Sequence, residues 1–258
     1  MIESLSSFNK FLEERPKPLL MAHRGNRVLF PENTIAAFRQ AFADGADILE
    51  TDLHLSSDGE FICIHDASIG RTTNGAGEVK DLSLKNIKSF RTLNSQSSLT
   101  EYQIPSLDET LKILPETMAL ALELKTDRFL EIDVCKRLGL ILGENKVLDR
   151  TIALSFSLPR LLALKKAIPD MPVGWISMTR WLPDKPVDLI GAFWPIFYLN
   201  PWYVTAAHSK GMFVCPLDPT PDTRLKFYMH KNVDAVLSDD PGKTRKILDT
   251  LIASSAAA

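Results

Sequence analysis

Four short runs of this chain carry side chains able to do chemistry. Glu50-Thr51-Asp52 places two carboxylates two residues apart. On a strand, where side chains alternate between faces, both point the same way. They sit in an otherwise apolar run with Ala46, Ile48, Leu49 and Leu53. Two such carboxylates either face solvent at a strand end or repel one another until a divalent cation joins them. An all-oxygen donor set of this kind suits Mg²⁺ or Ca²⁺, with Mn²⁺ also admissible. Glu123-Leu124-Lys125 follows the apolar run Met118–Leu122 and shares that parity. A buried charge needs a partner. Glu123 and Lys125 are therefore either an ion pair at a strand end, or a third metal ligand beside a phosphate contact.

The other two runs are His23-Arg24-Gly25 and His65-Asp66. Taken singly, each histidine reads as a structural or surface group. Together they fit phosphodiester cleavage, in which one group deprotonates the nucleophile and another protonates the departing alkoxide. Arg24 beside them could hold a phosphate oxygen through a charge-assisted bond. His54 has the parity of Glu50 and Asp52 and would edge such a site, whereas His208 and His230 read as structural or rim residues.

Short apolar runs alternating with helical patterns must position these groups. The expected strands are Leu19–His23, Ala46–Leu53, Met118–Leu124, Thr151–Ser155, Val173–Ile176, Phe193–Phe197, Phe213–Leu217 and Ala235–Leu237. Helices are expected over Asn33–Ala43 with Asn33 as N-cap, and over Leu107–Leu114 with a Ser106/Glu109 capping box. Further helices are expected over 127–142, 159–167, 201–209, 223–231 and 241–251. Eight strands separated by helices predict an α/β fold, a (β/α)₈ TIM barrel. An open doubly wound sheet is the competing architecture, but its Gly-rich turn after the first strand is replaced here by His-Arg-Gly.

The rhythm breaks once. Residues 56–106 are too long and too polar for a simple connection. They hold a Ser57-Asp58-Gly59 turn, a short strand Phe61–His65 and a Gly-rich stretch Arg71–Gly77. Long loops of this kind are commonly functional, and in a barrel the loop after a strand lies on the catalytic face. A small inserted subdomain after the second strand, covering the site, is the expectation.

Composition bounds the rest. The 258 residues suit one barrel domain over 1–258, and 45% hydrophobic with 24% charged residues is ordinary for a soluble globular chain. A formal net charge of −2 supplies no basic field for nucleic acid. Cys63, Cys135 and Cys215 form no C-x-x-C pair and read as free thiols of a reducing compartment. The first residues lack the pattern of a secretory signal, and no apolar run reaches the length of a membrane span. A cytoplasmic monomer or homodimer with a small-molecule substrate is expected.

These runs also resemble, in order and spacing, the glycerophosphodiester phosphodiesterase family of the cytoplasmic bacterial type. The resemblance begins with His23-Arg24-Gly25, Pro31-Glu32-Asn33-Thr34 with Ala37-Phe38, and Gly45-Ala46-Asp47. It continues through Glu50-x-Asp52, Ser57-Asp58-Gly59, His65-Asp66 and Arg71-Thr72-Thr73-Asn74-Gly75-x-Gly77. It ends with Ile104–Glu109, Glu123-Leu124-Lys125 and Asp234–Asp239-x-Pro241. The family is a (β/α)₈ barrel with a subdomain inserted after the second strand. The resemblance implies Glu50, Asp52 and Glu123 as metal ligands and His23 and His65 as the acid–base pair. It also implies Arg24 and Lys125 near the phosphate, and a deacylated phospholipid as substrate, cleaved to sn-glycerol 3-phosphate and an alcohol.

One stretch departs from the family pattern. Where members often carry Trp-Thr-x-Asn at the end of the seventh strand, this chain reads Cys215-Pro216-Leu217-Asp218. Asp218 would then take the place of the Asn as a polar contact in the substrate pocket. The alternative reading is a lysophospholipase D-like enzyme acting on acylated lysolipids. It requires an apolar groove beside the site, built from Trp194, Phe197, Tyr198 and Trp202.

Overall fold

The computed structural model describes residues 8, 10, 11, 15–184 and 186–256. Among the described residues nine strands are defined: Leu19–His23 (β1), Ile48–Leu55 (β2), Phe61–Cys63 (β3), Ala119–Leu124 (β4), Thr151–Ser155 (β5), Val173–Ser177 (β6), Leu189–Ala192 (β7), Phe213–Val214 (β8) and Ala235–Ser238 (β9). All but β3 run parallel, in the order β8-β7-β6-β5-β4-β2-β1-β9, and β3 pairs antiparallel with β2. The two ends of that order meet where the Asp234 N–H donates to the Val214 carbonyl at 2.9 Å. The result is a nearly closed eight-stranded parallel barrel, the (β/α)₈ architecture.

Strict alternation along each strand separates two layers. Leu20, Ala22, Leu49, Leu53, Leu120 and Leu122 point outward into the core shared with the helices. Leu19, Met21, Ile48, Ala119, Ala121, Ile152, Leu154, Ile176, Leu189, Phe213, Ala235 and Leu237 fill the barrel. Burial on both faces is why these parallel strands read as continuous apolar runs. Each fully buried Leu or Ile contributes about 1.5–3 kcal/mol.

The barrel's N-terminal rim is held by a recurring device. An aspartate just before a strand accepts a backbone N–H from the preceding barrel strand. Asp47 takes that of Leu20 (2.8 Å), Asp188 that of Val173 (3.0 Å) and Asp234 that of Val214 (2.8 Å). Arg245, Lys165 and Lys17 respectively balance these carboxylates, and His208 Nε2 lies 2.8 Å from Asp234 Oδ2. The ionisable groups at that end are thus engaged in register and closure, away from the chemistry.

Most expected helices form: Ile35–Ala43, Leu107–Ile113 with its Ser106/Glu109 capping box, Ile132–Glu144, Leu158–Ala167, Tyr203–His208, Leu225–Lys231 and Pro241–Ala256. Three local expectations are corrected. Phe193–Phe197 is not a strand; Pro195 opens the short helix Pro195–Leu199, and the strand is Leu189–Ala192 just before it. Proline at the first helical turn is pre-set for a helix and cannot donate to a ladder. The strand expected over Phe213–Leu217 is cut short at Val214 (β8), although Phe193 and Leu217 still bridge beyond it. Thr34, not Asn33, caps the helix Ile35–Ala43, its hydroxyl accepting from Ala37 N. Asn33 is at φ 54° and is used elsewhere.

Residues 56–106 leave β2 as a hairpin with β3 and pack Ile62, Ile64, Ile69, Val79, Ile87 and Ile104 into a small core of their own. The connection from β6 to β7 carries no helix among its described residues.

Candidate active site

The inward positions of β1, β2 and β4 change from apolar to charged at the C-terminal end of the barrel. Met21 gives way to His23, Ile48 to Glu50 and Asp52, and Ala121 to Glu123 and then Lys125. Register aligns them, since His23 pairs with Glu50 and Asp52 with Glu123 across adjacent strands. Glu50, Asp52 and Glu123 thereby offer carboxylate oxygens that all lie within 4.8 Å of one another. All three residues are buried, Asp52 completely.

Such a cluster is electrostatically costly by itself. Burial, with Asp52 and Glu123 alongside, pushes the Glu50 carboxyl well above the usual carboxylate range. Burial and Asp52 likewise raise Glu123, although Lys125 Nζ donates to it at 2.9 Å. Asp52 goes the other way: burial would raise it, but Arg24 and Lys125 outweigh that and hold it low. Its Oδ2 accepts from Asn33 Nδ2 at 2.8 Å. Its Oδ1 is buried with no hydrogen-bond partner, and the nearest cation, Lys125 Nζ, is 3.6 Å away. An orphaned, ionised carboxylate oxygen facing two further carboxylates fits a hard divalent cation, which would accept all three donors at once.

Two histidines flank the cluster. His23 Nδ1 lies 2.6 Å from Asp239 Oδ1, just beyond β9. His65 Nδ1 lies 2.7 Å from Asp66 Oδ1. In each, the carboxylate favours the ring tautomer with its proton on Nδ1 and leaves Nε2 for other work. Burial lowers the pKa of both imidazoles, against the pull of Asp239 on His23 and of Asp52 and Asp66 on His65. His54, inward on β2, contacts the His65 carbonyl through Nε2 at 3.1 Å and so steadies the backbone that carries it.

Arg24 follows β1 in a left-handed conformation, φ 59°, with Gly25 at φ 79°. A Cβ on Gly25 would lie 2.6 Å from the Ala37 carbonyl carbon, so only glycine lets the chain turn against the helix Ile35–Ala43. The Arg24 N–H donates to Glu50 Oε2 at 2.9 Å, and its Nη1 donates to Glu32 Oε1 at 3.0 Å. Arg24 Nε is buried 3.2 Å from Asp52 Oδ2 but outside hydrogen-bond geometry, and an in-line phosphate oxygen would complete it.

His23, Arg24, Glu50, Asp52, His65, Glu123 and Lys125 are thus brought together, and Asp218 is not. Its buried carboxylate is taken by Arg224 and by the Tyr228 hydroxyl (2.6 Å). The cavity beside the carboxylates, about 40 Å³, is lined instead by Cys215, Pro216 and Leu217, together with Leu154, Ile176 and Gly191. The residues of the aromatic stretch are engaged separately. Phe197 is buried, Arg224 lies 4.5 Å over the Trp194 ring and Tyr198 stacks on Phe227 at 4.1 Å, leaving Trp202 exposed.

Four residues carry unforeseen work. Asn33 bridges Asp52 and Thr51, Asp239 orients His23, Asp66 orients His65, and Glu32 gathers Arg24, Arg27 and Arg71. Each stood within a run already singled out, but their partners are 18 or more residues away for Asn33 and 216 for Asp239.

Comparison with known proteins places the chain in a family. Residues 23–243 match the Glycerophosphoryl diester phosphodiesterase family. A glycerophosphodiester phosphodiesterase of Caldanaerobacter subterraneus is 30% identical over 231 residues, covering 87% of this chain and 95% of the relative. In structure, the chain resembles a glycerophosphodiester phosphodiesterase of Agrobacterium tumefaciens (TM-score 0.77, 23% identity, 88% of this chain and 99% of the other). It also resembles an Oleispira antarctica phosphodiesterase solved with its product sn-glycerol 3-phosphate (TM-score 0.79, 24% identity, 90% and 97%). The chain therefore belongs to the glycerophosphodiester phosphodiesterase family and is a phosphoric diester hydrolase on a (β/α)₈ barrel.

Proposed function

We propose that this enzyme hydrolyses glycerophosphodiesters to sn-glycerol 3-phosphate and an alcohol, using a divalent cation and two histidines. The observation that carries the reading is the buried triad Glu50, Asp52 and Glu123, with its orphaned Asp52 oxygen, between two carboxylate-oriented imidazoles. Glu50, Asp52 and Glu123 would hold Mg²⁺ or Ca²⁺. Bound there, the ion supplies Lewis-acid polarisation of a phosphoryl oxygen and offsets the triad's repulsion.

Arg24 and Lys125 hold the phosphate, each already tethered by a carboxylate of the site. His23, bare at Nε2 and kept neutral by burial, takes the proton of the glycerol 2-hydroxyl. That oxygen attacks phosphorus within the same molecule, which lowers the entropic cost. His65, entering this step as the imidazolium paired with Asp66, gives its Nε2 proton to the oxygen of the departing alcohol. The roles then reverse: His65 deprotonates a water that opens the cyclic phosphate, and His23 returns the proton to the 2-oxygen. Residues 56–106 act as a subdomain of this one barrel domain that delivers His65 and covers the site. The three free, buried cysteines support a cytoplasmic setting. No helix among the described residues is long and apolar enough to cross a membrane.

The test is release of glycerol 3-phosphate from glycerophosphocholine, glycerophosphoethanolamine and glycerophosphoglycerol, with Mg²⁺, with Ca²⁺ and with EDTA. Metal-dependent release that is lost in His23→Ala supports the reading. Inactivity on all three, with turnover of lysophosphatidylcholine, would replace it by the acylated-substrate alternative.

A further inference from the structure

An unbroken file of alternating charges joins the two histidines, and Glu32 stands at its centre. From His23 Nδ1 it passes to Asp239 (2.6 Å), to Arg27 (3.7 Å) and to Glu32 (3.1 Å). From Glu32 it passes to Arg71 (2.7 Å), on to Asp66 and to His65 Nδ1 (2.7 Å). The first half belongs to the barrel and the loop after β1. Arg71, Asp66 and His65 belong to the insertion, which packs on a small core separate from the barrel's. We infer that Glu32 is a positioning residue for the acid–base pair: through Arg71 and Asp66 it holds the insertion-borne His65 at a set distance from the barrel-borne His23. This rests on the two-histidine reading above.

The physical argument is one of unequal anchoring. The Arg71 and Asp66 side chains are 47% and 30% exposed, so an ion pair between them alone would be weak and mobile. The Glu32 side chain is only 9% exposed. It receives three guanidiniums, with both nitrogen ends of Arg71 reaching its two oxygens (2.7 and 3.3 Å). A paired, two-pronged contact fixes the plane of the Arg71 group, and Arg71 Nε then presents one geometry to Asp66 Oδ2. Asp66 Oδ1 in turn fixes the His65 ring. Removing Glu32 leaves His65 present but free to rotate and drift with the insertion, which impairs proton delivery more than substrate binding.

That distinction can be read from the leaving group. Choline leaves as an alkoxide and needs a proton, whereas 4-nitrophenolate leaves without one. Release of the leaving group in the first step, choline from glycerophosphocholine or 4-nitrophenolate from the 4-nitrophenyl diester of glycerol phosphate, is measured in a single turnover, before the shared opening of the cyclic phosphate. His65→Ala is expected to lose about 10²–10³-fold on the first and far less on the second, if His65 is the acid. Glu32→Gln and Arg71→Ala are expected to reproduce that selectivity, losing about tenfold or more in the single-turnover rate of leaving-group release on the choline ester and under about threefold on the nitrophenyl ester. Arg71 is half-exposed, so its variant keeps the test valid should Glu32→Gln fold poorly by thermal unfolding. If His65→Ala is selective while Glu32→Gln and Arg71→Ala lose equally on both substrates, or lose nothing, Glu32 is only a structural clamp and the inference is overturned. If His65→Ala itself is unselective, the two-histidine reading fails first and this inference falls with it.

Discussion

Asn33 holds Asp52 from a backbone conformation that few residues adopt. At φ 54° its amide donates to Asp52 Oδ2 at 2.8 Å and accepts from the Thr51 hydroxyl at 2.7 Å. One oxygen of Asp52 is thereby fixed and the other left without a partner at the centre of the carboxylate triad. Asparagine is among the few residues tolerant of the left-handed region, and only its amide supplies both a donor and an acceptor there. Asn33→Ala should destabilise the protein by about 1–3 kcal/mol through two unmade buried hydrogen bonds. It should also raise the metal concentration needed for half-maximal activity about 10–100-fold, as loss of a ligand's supporting contact typically does. Thermal unfolding and a metal titration of glycerol 3-phosphate release check the two parts separately.

Removal of the cation should be visible without any turnover. Burial and the neighbouring carboxylates raise Glu50, so the metal-free triad is a site of repulsion. Protein stripped with EDTA should unfold at lower temperature, and Mg²⁺ or Ca²⁺ at a hundredfold excess over its dissociation constant should add about 2.7 kcal/mol. Glu123→Gln should blunt that gain. A melting temperature indifferent to every divalent ion would contradict a metal role for the triad.

Asp239 should matter to rate more than to binding. It orients the His23 ring at 2.6 Å from just beyond β9. Asp239→Asn is expected to lower kcat about 10–10²-fold with KM changed under about threefold, less than the loss in His23→Ala. Steady-state kinetics on glycerophosphocholine distinguish this from a binding role, which would move KM instead.

The Glu32 cluster gives a signed pH dependence. Burial would raise this carboxyl, but the bonds from Arg71 and the charges of Arg24 and Arg27 carry it from 4.5 down to about 2. A depressed folded pKa means that the stabilisation is complete above the unfolded value and is lost as pH falls through the folded one. Wild type should therefore lose this contribution between pH 4.5 and about 2. Glu32→Gln should be less stable at neutral pH, by about 1–3 kcal/mol, and should show a shallower decline across that acid window. Unfolding temperature measured against pH for both proteins checks the difference in slope.

Local chemistry made much of this molecule readable from its sequence. Strand parity put Glu50 with Asp52 and Glu123 with Lys125, because alternation is a property of the extended chain itself. Continuous apolar runs marked strands buried on both faces, and Ser106 with Glu109 marked a helix start, since a cap needs only residues three apart. Such signals failed where two local readings compete. The apolar stretch Phe193–Phe197 satisfies a strand as well as a helix until Pro195 is weighed, and Asn33 satisfies an N-cap as well as it satisfies a carboxylate clamp.

What the tertiary structure alone decided is pairing across distance. Asp239 reaches His23 over 216 positions because β9 closes the barrel against β1. Asp218, expected in the pocket in place of the family's Asn at the end of the seventh strand, is drawn instead to Arg224 and Tyr228. Glu32 meets Arg71 only because the insertion folds back over the loop after β1. A sequence determines which side chains a strand or turn presents, since that depends on neighbours a few bonds away. Which carboxylate a given histidine or arginine receives depends on barrel closure and on where the insertion comes to rest, and both are settled by the packing of the whole chain.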